Sequence, residues 1–198
     1  MEMLQIGIKK KQGSIVEVLK DEILSGNIQC GTEMTQNELA SSLGVSRMPV
    51  REALILLEYQ GLVERFPNNH VRVTEFGEDY FGEVFRFCAE LEEKALMSQP
   101  VFQEDEKSSR FKDGVLEETL LHRQISQSLS NVFLRKSLET IIEIYVEFAV
   151  RCPMYDSVKG TALLKEAMQA SPEQRKVLLC HYFSELEHVL LAERSNKC

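Results

Sequence analysis

The run Thr35-Gln36-Asn37-Glu38-Leu39-Ala40-Ser41-Ser42-Leu43-Gly44-Val45-Ser46-Arg47-Met48-Pro49-Val50-Arg51-Glu52-Ala53-Leu54 decides the fold of the first third of this chain. Thr35 and Glu38 have the spacing of a capping box, in which the hydroxyl takes an orphan amide of a starting helix and the carboxylate reaches back to the cap's own N–H. A helix is therefore predicted from Gln36. It turns Leu39, Ala40 and Leu43 inward and ends at Gly44, because glycine takes the left-handed conformation that closes a helix. Ser46 is a second N-cap, and Val50, Ala53, Leu54 and Leu57 form the apolar stripe of the following helix. Two short helices across a tight glycine turn make a helix-turn-helix.

Upstream, Ser14 can cap a helix carrying Ile15, Val18, Leu19, Ile23 and Leu24, which Gly26 ends. Downstream of Gly61, the alternating Leu62-Val63-Glu64-Arg65-Phe66, the Pro67-Asn68-Asn69 turn and Val71-Arg72-Val73 spell a β-hairpin, the wing. From Asp79 onward the periodicity is helical over 79–97, 115–129, 132–151, 158–169 and 172–193, while 98–113 is polar and weakly patterned, a loop or a short helix. The expected fold class is mainly α. An N-terminal winged helix-turn-helix with a small β-hairpin wing occupies 1–74, and an all-α helical bundle occupies 75–198.

Length and composition agree with two modules: 198 residues, 43% apolar and 27% charged, are those of an ordinary globular protein. No apolar run is long enough to span a bilayer. The N-terminal MEMLQIGIKKK puts its lysines after the apolar residues, the reverse of a signal peptide, so a cytoplasmic protein with no membrane partner is expected. The five cysteines, Cys30, Cys88, Cys152, Cys180 and Cys198, are scattered and odd in number, which points to reduced, packed thiols and away from a disulfide framework or thiolate zinc.

Net charge is −8, which at first sight opposes a nucleic-acid partner. Yet residues 1–74 carry eight basic and nine acidic side chains, so the excess acid lies in the second module. A DNA-facing surface then requires its arginines gathered on one side. No nucleophile motif, glycine-rich phosphate loop or HExxH constellation is present, so the chain is not expected to be an enzyme. A metal-dependent enzyme built on Glu118, His122 and His181 is the remote alternative.

The segment from Gly26 to Val73, and above all LGVSRMPVREAL at 43–54 followed by Gly61-Leu62-Val63, resembles the winged-helix domain of the GntR family of bacterial regulators. The helical remainder, with Leu121-His122-Arg123, Ser130-Asn131 and His181, resembles the effector-binding domain (FCD type) of that family's FadR branch. The resemblance implies a sequence-specific transcription regulator, a repressor by family habit, acting as a homodimer on a short palindromic operator in double-stranded DNA.

A recognition helix reads base edges from its N-terminal residues. Arg47 is the first candidate, since a guanidinium pairs bidentately with guanine O6 and N7. Arg51 lies one turn on, for a base or a phosphate. Ser46 would cap the helix and offer its backbone amide to a phosphate, and Met48 and Pro49 would touch thymine methyls. The resemblance adds Asn37 for a backbone or base contact, with Asn69 and His70 at the wing tip reaching the minor groove. Taken alone, Arg47 and Arg51 are solvated helix charges; the motif around them turns them toward DNA.

In the FadR branch, an aspartate and a histidine one turn apart join two later histidines to hold a divalent metal that helps grip a small carboxylate effector; here Glu118 stands where the aspartate would, with a longer reach. Glu118 and His122 have that i, i+4 spacing and share a helix face. His181 fits the last ligand position, but the one before it falls near Thr161, where no imidazole stands; Glu185 and His188 follow His181 as substitutes. The implied metal is zinc, nickel or manganese. Without it, an organic acid held by Arg86 or Arg151, an apolar ligand, or a purely dimerising domain are the alternatives. Arg86 also has Glu90 as an i+4 partner.

Overall fold

The computed structural model describes residues 14–67, 70–97 and 114–195. Packing divides the chain into two units, 1–77 together with 193–198, and 78–192. In the first unit α1 (Ile15–Leu24) starts at Ser14, whose hydroxyl accepts from Glu17 N while Glu17 accepts from Ser14 N. A short strand β1 (Glu33–Thr35) leads into α2 (Gln36–Leu43), Gly44 closes α2 at φ 67°, and α3 (Arg47–Tyr59) follows. The predicted capping box is formed in full: Glu38 N donates to Thr35 Oγ1 at 3.2 Å, and Thr35 N donates to Glu38 Oε2 at 2.8 Å.

The wing strands are β2 (Val63–Phe66) and β3 (His70–Val73), paired antiparallel with Val63 opposite Val73. The sheet has three strands in the order β1-β3-β2, with Met34 opposite Val71. The sequence pattern predicts a hairpin alone, so β1 is an addition. Its three residues are too few to show alternation, and Thr35 spends its side chain on the helix cap. The core draws one residue after another from the predicted stripes: Leu19, Ile23, Leu39, Val50, Leu54, Leu57, Val71 and Val73 are all buried.

The second unit is helical: α4 (Tyr80–Met97), α5 (Gly114–Gln127), α6 (Val132–Ile141), a π-helical turn (Ile142–Val146), α7 (Glu147–Ala149), α8 (Ser157–Gln169) and α9 (Pro172–Ser195). Asn131 caps α6 by accepting from Phe133 N and Leu134 N, and Asp156 caps α8 by accepting from Val158 N and Lys159 N. The stretch read as one helix over 132–151 is interrupted at the π turn, where Glu147 N donates to Ile142 O, five residues back. Apolar periodicity is insensitive to one such widened turn, because Ile142, Ile144, Tyr145 and Val146 within it are all apolar and buried, so the apolar pattern runs on through the change of phase. The segment 98–113 lies outside the described residues.

Phe85 of α4 and Phe183 of α9 stack with ring centroids 5.9 Å apart, at the centre of a core that includes Leu121, Ile125, Leu138, Leu164 and Leu186. Cys30, Cys88, Cys152 and Cys180 are free thiols. Among the described residues no helix is long and apolar enough to cross a membrane.

Candidate functional site

The first-unit site is the start of α3. Arg47 is its first residue, Arg51 lies one turn further, and both side chains are exposed; Met48 between them is 59% exposed and Pro49 half-buried. α2 presents Asn37 alongside, and Arg47 Nη1 donates to Asn37 Oδ1 at 3.1 Å. That bond turns the guanidinium toward α2. The other arginines of the sheet side are engaged internally, Arg65 with Glu58 at 3.3 Å and Arg72 with Glu64 at 2.8 Å. Arg72 also lies over the Phe66 ring.

Ser46 occupies the N-cap position with extended backbone, but its hydroxyl makes no cap hydrogen bond, contrary to the expectation. One of the two amides that a capping side chain takes is missing here, since N3 is Pro49, which has no N–H. Ser46 is exposed at the positive end of the helix dipole. His70 is exposed at the start of β3, and Asn69 lies outside the described residues.

The second-unit site is interior. Glu92 of α4, Glu118 and His122 of α5, Tyr155 ahead of α8 and Tyr182 of α9 form one hydrogen-bonded chain. His122 Nδ1 meets Glu92 Oε1 at 2.5 Å and its Nε2 meets the Tyr182 hydroxyl at 2.7 Å. Glu118 Oε1 accepts from the Tyr182 and Tyr155 hydroxyls, each at 2.5 Å. Glu92, Glu118 and His122 are all 0% exposed. Glu92 Oε2, Glu118 Oε2 and the Thr161 hydroxyl are buried with no hydrogen-bond partner among the described residues.

Burial pushes the Glu118 carboxyl above its ordinary range, against the two tyrosine hydrogen bonds that favour its anion. For His122 burial works downward, but the neighbouring Glu92 carboxylate, with its hydrogen bond and Glu118, carries the imidazole above its ordinary value. Burial and the adjacent Glu118 raise the Tyr182 phenol, which stays a hydroxyl. Gly160 makes the arrangement possible: a Cβ there would meet Glu118 Oε1 at 2.8 Å and would run into the Tyr155 hydroxyl. A cavity of about 20 Å³ adjoins the two tyrosines, beside the Lys159–Glu185 ion pair.

Of the residues named from sequence for a metal, the structure places Glu118 and His122 in this cluster and not His181. His181 is exposed, its Nε2 3.9 Å from Glu185 on the same helix. The inward stripe of α9 runs Leu179, Tyr182, Phe183, Leu186, Leu190, and position 181 falls about 100° away from 182. Glu185 is half-buried and His188 exposed. Thr161 is buried. The implied ligand set therefore does not fit: its histidine at 181 is outside, its slot at 161 holds a hydroxyl, and both nitrogens of His122 are taken. Among the described residues no group of three or more His, Cys, Asp or Glu is arranged to hold a metal.

Arg86 and Arg151 are likewise not in the interior. Arg86 is exposed and bound to Asp79 at 2.6 Å, in place of the i+4 partner Glu90. Arg151 is exposed and donates through Nε to Glu147 O at 2.8 Å. Sequence reasoning misses Glu92, Tyr155 and Tyr182. Glu92 does carry a signal: a carboxylate on the stripe Phe85, Cys88, Ala89, Leu96 of α4 demands a partner.

Residues 11–73 match the model of the bacterial regulatory proteins, gntR family. An uncharacterized HTH-type transcriptional regulator of Bacillus subtilis, YdhC, is 28% identical over 66% of this chain and 57% of its own length. The gluconate operon transcriptional repressor of Bacillus licheniformis is 27% identical over 67% of this chain and 62% of its own. The chain thus spans less than two thirds of these curated relatives. Among solved structures, Lar, described as controlling expression of the Listeria monocytogenes agr system, superposes with a TM-score of 0.60 at 18% identity, covering 93% of this chain and 99% of that one. At that identity the likeness is one of fold. The match to the gntR family of bacterial regulatory proteins thus covers the winged helix-turn-helix of the N-terminal unit, residues 11–73.

Proposed function

We infer that this protein is a sequence-specific DNA-binding transcription regulator, a repressor in the manner of the gluconate operon relative, and not an enzyme. The observation that carries this is the start of α3: Arg47, Met48 and Arg51 project into solvent beside Asn37, on a scaffold of the gntR family. An α-helix end fits the major groove, and a bidentate arginine contact to guanine is worth about 1–3 kcal/mol of discrimination. Ser46 and the first amides of α3 would take a phosphate, and His70 and Asn69 on the wing would follow the adjacent minor groove. One such unit covers few base pairs, so a homodimer on a short palindrome supplies the needed specificity.

The second unit is read as an effector-binding and dimerising domain of the FadR branch. Six α-helical segments among the described residues and a buried carboxylate–histidine pair at i, i+4 support this. A small ligand there would bias the dimer between two conformations by its differential affinity. The test is selection of operator DNA from a random pool, followed by titration with Arg47→Ala at fixed salt. A loss of about 5- to 150-fold in specific affinity is expected, the factor corresponding to the energy above. Full sequence-specific affinity in the folded Arg47→Ala chain would overturn the reading.

A further inference from the structure

We propose that the interior of the helical unit is held without a metal, by a hydrogen-bonded chain of phenol, carboxylate and imidazole that occupies the place where a metal centre would be built. The inference rests on the reading of the second unit given above, and it runs against the metal site that this reading would suggest.

Both imidazole nitrogens and one oxygen of each carboxylate are already committed. A metal taken by His122 needs the lone pair of a ring nitrogen, and Nδ1 is held by Glu92 while Nε2 faces the Tyr182 hydroxyl at 2.7 Å. Tyr182 therefore stands in the direction from which a cation would approach Nε2. The second carboxylate offered to such a cation, Glu118, uses Oε1 for the hydroxyls of Tyr155 and Tyr182. At the remaining position, Thr161 contributes a neutral hydroxyl where zinc, nickel or manganese would take an imidazole.

The chain also performs the mechanical work of a metal. A centre of this kind ties helices together through shared ligands. Here Glu92 brings in α4, Glu118 and His122 bring in α5, Tyr182 brings in α9, and Tyr155 brings in the entry to α8. Gly160 supports this design specifically, since any side chain at that position would displace the Tyr155 hydroxyl from Glu118. Glu92 Oε2, Glu118 Oε2 and the Thr161 hydroxyl are left without a partner among the described residues, and a cavity of about 20 Å³, the size of one water, is lined by Tyr155, Gly160 and Tyr182 of the same cluster.

The experiment uses the full-length chain with His181→Ala and His188→Ala, so that the exposed histidines hold no ion. It is exposed in turn to zinc, nickel and manganese, desalted, and assayed for metal content and for the thermal midpoint with and without EDTA. Substoichiometric metal and an unchanged midpoint are expected. Stoichiometric metal together with a midpoint lowered by EDTA would overturn the proposal. A second arm restores the imidazoles: Thr161→His with Tyr182→His should gain a midpoint rise of several degrees with zinc. If that chain folds and gains no zinc response, the assignment of these positions as the replaced ligands fails. Operator affinity is measured in parallel. Its absence would count against the regulator reading alone, since metal content is read independently of DNA.

Discussion

The Arg47–Asn37 hydrogen bond gives the recognition surface a property beyond charge. An arginine held in one orientation loses less freedom on docking than one that searches its rotamers, a difference of about 0.5–1.5 kcal/mol. Asn37→Ala should therefore weaken operator binding by roughly 2- to 12-fold, less than Arg47→Ala. If Asn37 acts through Arg47, the loss should vanish in the Arg47→Ala background; if it persists there in full, Asn37 touches DNA itself. In the interior, Tyr182→Phe leaves His122 Nε2 and Glu118 Oε1 each short of a buried partner, and a cost of about 1–3 kcal/mol in chemical unfolding is expected. Gly160→Ala should cost a similar amount, about 1–3 kcal/mol, by overpacking against Tyr155. Legibility at this scale is uneven. Arg47 stands out because it opens the helix that follows the Gly44 turn, inside the helix-turn-helix pattern. Tyr182 is overshadowed by its neighbour His181, because residue type draws more weight than phase on the α9 stripe.

Among elements, α2 owes its start to local chemistry. Thr35→Ala should lower stability by about 1 kcal/mol, within the range measured for lost N-caps. Thr35 N and its hydroxyl hold the Glu38 carboxyl below its ordinary range. A group whose folded value is depressed stabilises above its unfolded value and loses that contribution as pH falls. The gap in thermal midpoint between the native chain and Glu38→Ala should thus be present at neutral pH and close on acidification through and below the ordinary carboxylate range. A gap that stays constant would show that the carboxylate is not what Thr35 holds. Helices are the most readable elements, because caps and apolar spacing act within a few residues: Ser14, Thr35, Asn131 and Asp156 each stand where an α-helix begins. β1 is not readable, since a three-residue strand is defined by its partner β3.

For the molecule as a whole, the excess acid outside the winged unit predicts that DNA binding depends on a small, well-aimed set of positive groups. Specific affinity should still fall with salt, but the slope of log affinity against log salt should be shallow and should drop further in Arg51→Ala if that side chain meets a phosphate. Stoichiometry tests the homodimer: a palindromic operator should take up a pair of chains in sedimentation, and a single half-site should bind far more weakly. An equal affinity for half-site and palindrome would remove the dimer from the account. The change of apolar period puts a boundary at 74/75 from sequence, because period is a local property, and packing divides the fold at 77/78. The interior cluster cannot be read in this way, because Glu92 and Tyr182 are brought together by packing across ninety positions of chain.

The π turn at Ile142–Val146 bears on how this chain is lined up with others. A π turn is an α-helical turn with one residue added, and each added residue rotates the downstream part of the helix by about 100°. Against a relative whose corresponding helix is α throughout, a gapless alignment that is right at Leu138 is wrong by one position at Phe148. Residues compared there would come from different faces of the helix. A single-position gap placed between 142 and 146 restores the correspondence, so it is the structure of this turn, and not similarity of side chains, that fixes which downstream residues of the family are counterparts.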